Sequence, residues 1–261
     1  MSQPHDARAM AESFGVDAGL YDGTRPEYPA DLLARVIAAL PGTEVLDVGC
    51  GTGILARQLA AAGCLVRGVE PDARMAGFAR AGGLDVDVAR FEDWNDAGRS
   101  FDGVLAGTAW HWIDPRAGAA RAAEVLRPDG LLVPLWNVST PDPAVAVAFA
   151  EAFAAAVPDA PFDLRGRPGG AASYQPVLDR AADAIRVDGR FADPEQWSAD
   201  WRAEYRSEEW LDQLRTSGAM TRLDAARQSA VLTRVAAAID ARGGTVPVAW
   251  TCLALVATRR G

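Results

Sequence analysis

The chain has 261 residues, 49% hydrophobic and 23% charged, which is enough to form a large globular domain with a substantial core. Its formal net charge of −9 argues against non-specific binding to nucleic acid or to an anionic membrane surface. The three cysteines lack metal-ligand spacing, no stretch is long and apolar enough to span a membrane, and the N-terminus has no apolar signal segment. We therefore expect a reduced, cytoplasmic protein with no metal ion, no membrane and no nucleic-acid partner.

The segment before the first predicted strand has the composition of a cover over a ligand site. Residues 6–14 show a short amphipathic helical pattern, and a further helix is predicted over Asp31–Leu40. Between them, Tyr21–Pro29 is a loop punctuated by prolines and unusually rich in tyrosine and arginine. It either closes over a site as a lid or packs as an arm whose tyrosines bury their rings.

A strand, a glycine-rich turn and a helix are predicted over residues 44–60. The apolar run Glu44–Val48 leads into Gly49, Gly51 and Gly53, and a helical pattern follows at once. Glycines allow positive φ angles and the close approach of a ligand to the backbone. The first turn of the following helix presents free N–H groups, which suit polar or anionic ligand groups.

Asp47 distinguishes between the ligands that bind such a turn. A phosphate-binding P-loop is excluded because it needs a lysine and the chain has none. Residues 51–56 fit the loose G-x-G-x-x-A pattern of dinucleotide sites, which is a weak signal. A carboxylate beside the turn would repel a pyrophosphate, but it would attract the ammonium and sulfonium groups of S-adenosylmethionine (SAM). The residues therefore favour SAM, with a purely structural turn as the alternative.

The alternation of strands and helices continues through four more predicted strands, at Leu65–Glu70, Leu84–Val88, Phe101–Ala106 and Leu131–Leu135. Helices are predicted from Asp72 and over Arg116–Leu126, followed by a turn at Arg127–Gly130.

Acidic residues after the second and third strands are predicted to contact a nucleoside. Glu70 ends the second strand, where an acid accepts hydrogen bonds from ribose hydroxyls. After the third strand, Phe91 is positioned to pack against adenine and Glu92 to accept from its amino group. A solvated loop is the alternative for Glu92.

An aromatic cluster follows the fourth strand at residues 108–112, where ligands of open α/β sheets bind. The candidate substrate residues are aromatic and would favour a planar or apolar acceptor: Tyr21, Tyr28, Trp110, Trp112 and Trp136. An arginine in the wall, such as Arg165 or Arg167, would instead select a carboxylate.

His111 is the candidate catalytic residue. A phenol, amine or indole acceptor needs to lose a proton on methylation, and His111 is the chain's one histidine outside the N-terminal tail. It would act as that base or orient the acceptor. The alternative is a histidine that is hydrogen-bonded behind the site and only shapes the pocket.

The regular alternation of predicted strands and helices ends after residue 137. The predicted elements beyond it are helical at residues 144–157, 173–182 and 194–205, a strand at 184–190, a loop at 158–170, and a final buried strand over Val248–Thr258. Ser207 and Thr221 are predicted to cap two further helices, of which the second extends to Ile239. Trp197, Trp201 and Trp210 are expected on the core stripes of helices.

Taken together, the motifs resemble the class I SAM-dependent methyltransferases that act on small molecules. The resemblance rests on the Asp47 turn and on Gly68–Asp72, Ala109–Trp112 and Leu126–Gly130. The lead-in at Tyr21–Pro29 is similar to that of the trans-aconitate-methyltransferase-like group. The resemblance covers nearly the whole chain and is weakest over residues 140–175.

The resemblance implies an α/β, Rossmann-like, seven-stranded mixed sheet in the order 3-2-1-4-5-7-6, with the last strand antiparallel. Helices would cover both faces, with a small helical cap. The implied division is an N-terminal lid or arm at 1–30, a SAM-binding core at 31–137, a helical cap at 138–182, and a C-terminal part at 183–261 that completes the sheet.

It also implies residue roles. Gly49, Gly51 and Gly53 would contact the methionine part of SAM, Glu70 the ribose, Glu92 the adenine amine, Thr108 the region of the sulfonium, and Arg25 the carboxylate. The implied activity is methyl transfer from SAM to an oxygen, nitrogen or carbon of a small molecule. The family does not share one substrate, so the acceptor and the oligomeric state stay open. An NAD-dependent oxidoreductase and a SAM-binding protein without methyltransferase activity remain the alternatives.

Overall fold

The computed structural model of the protein describes residues 14–158, 160, 164–166 and 169–261. The strands are β1 Glu44–Val48, β2 Leu65–Glu70, β3 Asp85–Val88, β4 Phe101–Gly107, β5 Leu126–Pro141, β6 Glu195–Arg206 and β7 Thr245–Thr258. They form one sheet in the order β3-β2-β1-β4-β5-β7-β6. The first five strands are parallel, and β7 is antiparallel to both of its neighbours. The expected strand order and the antiparallel last strand are confirmed.

The α-helices are α1 Ala18–Thr24, α2 Ala30–Ala39, α3 Ile54–Ala61, α4 Ala73–Ala81, α5 Pro115–Val125, α6 Pro143–Ala156, α7 Ala171–Asp188, α8 Ser207–Arg215 and α9 Ala225–Asp240. Short 3-10 helices occur at Phe14–Asp17, Phe91–Asp93 and Trp110–Trp112. The helical pattern predicted for residues 6–13, and Arg167, lie outside the described residues. No helix of the described part combines the length and apolar character needed to cross a bilayer.

The sheet buries a hydrophobic layer on each face because successive side chains of a strand point to opposite sides. On one face, Leu46 and Leu132 belong to a cluster that includes Ala119 of α5 and Ile185 of α7. On the other face, α2 and α3 contribute to a cluster that includes Val45, Leu105 and Val133. Burial of both faces holds the carboxyl ends of β1, β4 and β5 at one edge of the sheet.

A third hydrophobic cluster joins the C-terminal elements. It draws residues from α6, α8 and α9 onto the ends of β6 and β7. Within it, the rings of Trp201 and Trp250 are stacked, with their centroids 5.6 Å apart and an interplanar angle of 8°. This cluster places the end of α8 beside the carboxyl edge of the sheet.

The strand predicted over residues 184–190 is wrong, because α7 continues to Asp188. Leu178, Ala181, Ala182 and Ile185 are all buried, a spacing that matches one face of a helix. Gly189, at φ +79°, takes the left-handed conformation that ends the helix. The expected boundary between residues 182 and 183 falls inside this helix.

The helix predicted over residues 194–205 is also wrong, because this segment is β6. Its burial alternates along its length between exposed and half-buried residues, the latter including Trp197, Trp201 and Tyr205. A period of two belongs to a strand, and twelve backbone pairs join the segment to β7. Trp197 and Trp201 therefore lie on one face of an edge strand and not on helical stripes.

Two predicted helix caps and one predicted turn also differ from the structure. Arg206 is the N-cap of α8, where the backbone N–H of Arg206 donates to Glu209 at 2.9 Å, so Ser207 is the first helical residue. Asp224, and not Thr221, caps α9 by accepting from the N–H of Arg227 at 2.8 Å. The turn predicted at residues 127–130 lies within the longer β5, with Asp129 at φ +63°.

Candidate functional site

The turn after β1 takes the left-handed backbone that its glycines allow. Gly49, Gly51 and Gly53 have φ angles of +65°, +55° and +91°, and Gly53 is the N-cap of α3. A Cβ added at Gly49 would lie 2.5 Å from the Cβ of Ala109, well inside van der Waals contact. The turn therefore packs directly on the loop after β4, which brings both segments to one site.

Two adjoining cavities lie at this edge of the sheet. The first, the Glu70 cavity, has a volume of about 120 Å³, and its wall includes Glu70, Phe91, Glu92, Gly51 and Thr108. The second, the Asp47 cavity, has a volume of about 300 Å³, and its wall includes Arg25, Tyr28, Asp47, His111, Asn137, Tyr174 and Ser217. Both cavities share Phe14, Tyr21, Gly49, Gly51, Gly107, Thr108 and Trp112.

Asp47 is a buried acid in the wall of the second cavity. Its side chain is 1% exposed, and neither carboxylate oxygen has a hydrogen-bond partner of good geometry among the described residues. Burial, and then the nearby charge of Glu70, raise the pKa of Asp47 to about 7. A cationic ligand group would compensate the cost of this carboxylate, because an opposite charge favours the ionised form.

Glu70 accepts hydrogen bonds that fix its carboxylate under the glycine turn. One oxygen accepts from the N–H of Gly51 and the other from the N–H of Asp72, each at 2.9 Å. Burial raises the pKa of Glu70 to about 7, against the lowering effect of these bonds. Each carboxylate oxygen can accept a second bond, so Glu70 can still bind a hydroxyl group.

The far end of the first cavity is formed by Phe91 and Glu92. Phe91 is 3% exposed and packs near Trp110, with ring centroids 6.2 Å apart. Glu92 accepts from the N–H of Asp114 at 3.2 Å. An aromatic ring and a carboxylate in one wall suit a flat base that carries an amino group.

Residues 14–28 lie across both cavities. Phe14 and Tyr21 have ring centroids 5.9 Å apart and line each cavity. Gln58 of α3 holds the segment at Tyr28, accepting from its N–H at 2.8 Å and donating to its C=O at 2.9 Å. Asp22 adds an ion pair with Arg57 at 2.7 Å.

Arg25 links this segment to the end of α8. Its Nη2 donates to the C=O of Thr216 at 2.6 Å and to Oγ1 of the same residue at 3.0 Å. Its Nε is buried without a partner among the described residues, in the wall of the Asp47 cavity. Ser217, which follows Thr216, has a buried hydroxyl in the same situation.

Thr108 lies where the two cavities meet. It is one of the non-glycine residues with positive φ, at +54°, and its N–H donates to the C=O of Leu135 at 2.6 Å. Its hydroxyl is 3.2 Å from that of Tyr28 and 3.4 Å from the N–H of Asn137. A strained backbone held by such contacts is typical of a functional position.

The indole of Trp136 fixes the protonation state of His111. Its Nε1, which can only donate, lies 3.1 Å from Nδ1 of His111. Nδ1 must therefore be the acceptor, so the neutral ring carries its proton on Nε2. Burial lowers the pKa of His111 to about 4, so the ring is neutral at pH 7. In this tautomer His111 donates from Nε2 and has no lone pair available there to remove a proton.

The structure brings most of the predicted site residues together. Trp110 is 2% exposed and Trp136 is fully buried, and neither belongs to the wall of either cavity. Gly53 also lies outside both walls. Arg165 is exposed and lines neither cavity. Within the described residues, no group of three His, Cys, Asp or Glu side chains forms a metal site.

Sequence reasoning missed Asn137, Tyr174 and Ser217 as wall residues. Asn137 had a signal, since it is a polar residue at the carboxyl end of a strand, where ligands of such sheets bind. Tyr174 of α7 and Ser217 after α8 had none. Only the packing of distant elements brings them to the Asp47 cavity.

Comparison with known proteins finds similarity to methyltransferases over part of the chain. A family profile described as a methyltransferase domain matches residues 45–130. An uncharacterised methyltransferase of Mycobacterium tuberculosis (strain ATCC 25618 / H37Rv) is 38% identical over 133 residues, which are 50% of this chain and 54% of that protein. Trans-aconitate 2-methyltransferase of Mycobacterium ulcerans (strain Agy99) is 31% identical over 161 residues, which are 59% of this chain and 60% of that protein. The chain thus spans little more than half the length of these relatives.

The fold is shared more widely than the sequence. A structure from Anaeromyxobacter dehalogenans, described as a candidate type II methyltransferase, superposes with a TM-score of 0.64 at 23% identity, covering 90% of this chain and 97% of that one. The sheet order and this superposition show a Rossmann-like fold shared with that structure. Residues 45–130 of the chain match the methyltransferase-domain profile.

Proposed function

We propose that the protein binds SAM in the two adjoining cavities and transfers its methyl group to a small-molecule acceptor. The observation that carries this proposal is Asp47, a buried carboxylate beside the glycine turn with no hydrogen-bond partner of good geometry among the described residues. A buried charge of this kind is costly unless a ligand compensates it, and SAM carries two cationic groups. A pyrophosphate would instead increase the repulsion.

The residues present fit the cofactor. Asp47 would compensate its cationic groups, Glu70 would accept from the ribose hydroxyls, and Phe91 and Glu92 would hold the adenine. Gly49, Gly51 and Gly53 would form the turn around the methionine part, with Thr108 near the sulfonium. Arg25 would bind the carboxylate through its unpaired Nε. When bound, SAM would supply a methyl group whose carbon an acceptor lone pair attacks in line, while the bond from that carbon to sulfur breaks and leaves its electron pair on sulfur.

The protein's contribution is positioning and exclusion of water. Residues 14–28 lie over the site, and Trp112 lines both cavities. His111, with its proton on Nε2, would orient the acceptor by donating a hydrogen bond. An acceptor that must lose a proton would therefore release it to solvent or to another group.

Calorimetric titration tests the proposal. The wild-type chain is expected to bind S-adenosylhomocysteine and not NADH. Asp47→Ala should weaken binding of SAM more than that of S-adenosylhomocysteine, since only SAM carries the sulfonium charge. Asp240→Ala, at an exposed position of α9, is the control. Uptake of NADH with no binding of S-adenosylhomocysteine would contradict the proposal and favour the oxidoreductase alternative.

Transfer itself needs a second measurement. Incubation with methyl-labelled SAM and a panel of phenols, amines and carboxylates should move label into at least one acceptor. Tight binding without transfer to any of them would favour a SAM-binding protein without methyltransferase activity.

A further inference from the structure

The side chain of Asn137 is held in one orientation by the backbone of the segment that covers the site. Its Nδ2 donates to the C=O of Glu27 at 3.1 Å and lies 3.4 Å from the C=O of Pro26. Exchanging the amide oxygen and nitrogen would bring Oδ1 against two carbonyl oxygens, which repel it. The hydrogen-bond network therefore fixes Oδ1 on the other side of the amide.

That oxygen is a buried hydrogen-bond acceptor without a partner. Oδ1 has almost no exposed surface and meets no donor among the described residues. Asn137 lies at the carboxyl end of β5, in the wall of the Asp47 cavity and 3.4 Å from the hydroxyl of Thr108 through its N–H. An unpaired buried carbonyl costs stability, so a ligand that donates to it is favoured over one that does not.

The charges in the cavity wall disfavour an anionic acceptor. Among the described residues that line it, Arg25 is the one arginine, and Asp47 is an acid. Arg25 already donates to Thr216, and its free Nε is assigned to the carboxylate of SAM in the proposed function. No second cation of the described wall is left for a carboxylate on the acceptor.

The remaining wall is largely aromatic. Phe14, Tyr21, Trp112, Tyr174 and Trp250 all line the cavity. Aromatic walls favour a flat molecule that can pack against their rings. The cavity therefore combines flat apolar surfaces with one oriented carbonyl.

We propose that Asn137 is a specificity-determining residue whose side-chain carbonyl accepts a hydrogen bond from the acceptor, so that the cavity takes a neutral, flat molecule with an O–H or N–H group and rejects carboxylates. This assignment rests on the proposed function, since the acceptor must lie beside the methyl donor. Under this assignment the acceptor of this chain differs in charge from trans-aconitate, the tricarboxylate in the name of one relative.

Three matched probes test the assignment by calorimetry at pH 7, with and without saturating S-adenosylhomocysteine. They are 2-naphthol, which carries a hydroxyl, 2-methoxynaphthalene, which lacks the donor, and 2-naphthoate, which is anionic. Wild-type protein is expected to bind 2-naphthol about tenfold more tightly than either of the others, because a site built to pair a hydroxyl penalises its absence. Tighter binding of 2-naphthoate, or failure of 2-naphthol to bind, would overturn the assignment.

Two variants distinguish the effect of the Asn137 side-chain carbonyl from the effect of a looser covering segment, residues 14–28. Asn137→Leu removes Oδ1 and should bring the ratio of the 2-naphthol and 2-methoxynaphthalene affinities close to one. Asp22→Ala removes the ion pair with Arg57 at α1, away from the Pro26 and Glu27 carbonyls that orient Asn137, so any weakening should be shared by all probes while the ratio is kept. An unchanged ratio in Asn137→Leu would overturn the assignment.

If Asn137→Leu does not fold, the relative affinities of the wild-type protein for the three probes still test the assignment. If the wild-type protein does not bind S-adenosylhomocysteine but still prefers 2-naphthol to 2-methoxynaphthalene, the proposed function is contradicted while the hydrogen-bond preference of the cavity remains. The two failures are therefore distinguishable.

Discussion

At the scale of single residues, the site contains acids that the fold alone would not favour. Asp47 and Glu70 are both buried, and burial is the main cause that raises each of their pKa values to about 7. The Glu70 carboxylate accepts two backbone hydrogen bonds, whereas that of Asp47 has no hydrogen bond of good geometry among the described residues. Asp47 therefore reduces the stability of the ligand-free protein, a cost that the proposed cationic ligand would offset.

Asp47→Asn should stabilise the ligand-free protein at pH 8. The native state holds the Asp47 proton up to about pH 7, whereas the unfolded chain loses it near its ordinary pKa. The unfolding free energy therefore falls as pH rises through this window, and the variant should avoid a loss of about 1–3 kcal/mol at pH 8. Urea unfolding at pH 8 and pH 4 measures the difference, which should vanish at pH 4.

The control for this prediction is Asp240→Asn, at an exposed residue. It should change stability little at either pH. If Asp47→Asn were less stable than the wild type at pH 8, the carboxylate would have to be stabilised within the fold itself.

His111 should stay neutral, with its proton on Nε2, from pH 5.5 to pH 8. Burial holds its pKa at about 4, and Trp136 donates to Nδ1. Nitrogen-15 NMR of the ring measures both properties. Trp136→Phe, which removes the indole donor, should populate both neutral tautomers. A ring that titrates near pH 6.5 would contradict this prediction and restore His111 as a candidate base.

At the scale of elements, the glycine turn and the loop after β4 depend on each other. Gly49 and Gly51 both take positive φ, but their surroundings differ. A Cβ at Gly49 would lie 2.5 Å from Ala109, whereas among the described residues one at Gly51 would meet the flexible end of Met75, at 3.6 Å, and no other atom within 4 Å. The two positions therefore separate backbone strain from steric exclusion.

Gly49→Ala should destabilise the protein more than Gly51→Ala. Both variants carry the cost of a left-handed alanine, about 1 kcal/mol. Gly49→Ala adds a clash that must move the loop after β4, at a further cost of about 1–3 kcal/mol. Urea unfolding of the two variants at one pH compares them. Equal decreases in the free energy of unfolding would mean that the loop containing Ala109 moves aside at little cost.

At the scale of the whole molecule, the site is assembled from parts that are far apart in sequence. Arg25 and Thr216 are joined directly, and Asn137 of β5 donates to the backbone of Glu27. The N-terminal segment therefore contacts both the sheet and the C-terminal helices. Through these contacts, distant elements hold one wall of the Asp47 cavity.

Arg25→Ala should raise amide hydrogen exchange in two places together, over α1 and at the end of α8. The reason is that its guanidinium joins these elements at 2.6 Å. Arg57→Ala is the control, since its ion pair joins Asp22 of α1 to α3 and does not involve α8, so exchange at the end of α8 should stay unchanged. Faster exchange in α1 alone would show that α8 is held independently of this contact.

The local pattern determined the first half of the fold. The strands β1 to β4 fall within a residue or two of their predictions because each is a short apolar run bounded by turn residues. Glu70, Phe91 and Glu92 could be proposed for the same reason, since the carboxyl ends of parallel strands meet at one edge. The prediction failed over residues 184–205, because the hydrophobic pattern of these alanine-rich and mixed sequences is compatible with both a helix and a strand.

By itself, the sequence determined a parallel α/β core, an acid beside a glycine turn, and acids at the ends of the next two strands. These features depend on neighbours in the chain, through backbone freedom and the alternation of side chains. Only the tertiary structure decided that Trp110 and Trp136 lie behind the cavities while Asn137, Tyr174 and Ser217 line one of them. It also decided the tautomer of His111, because that depends on a single indole 25 positions away in the chain. Such contacts arise from packing between distant elements, which no local pattern encodes.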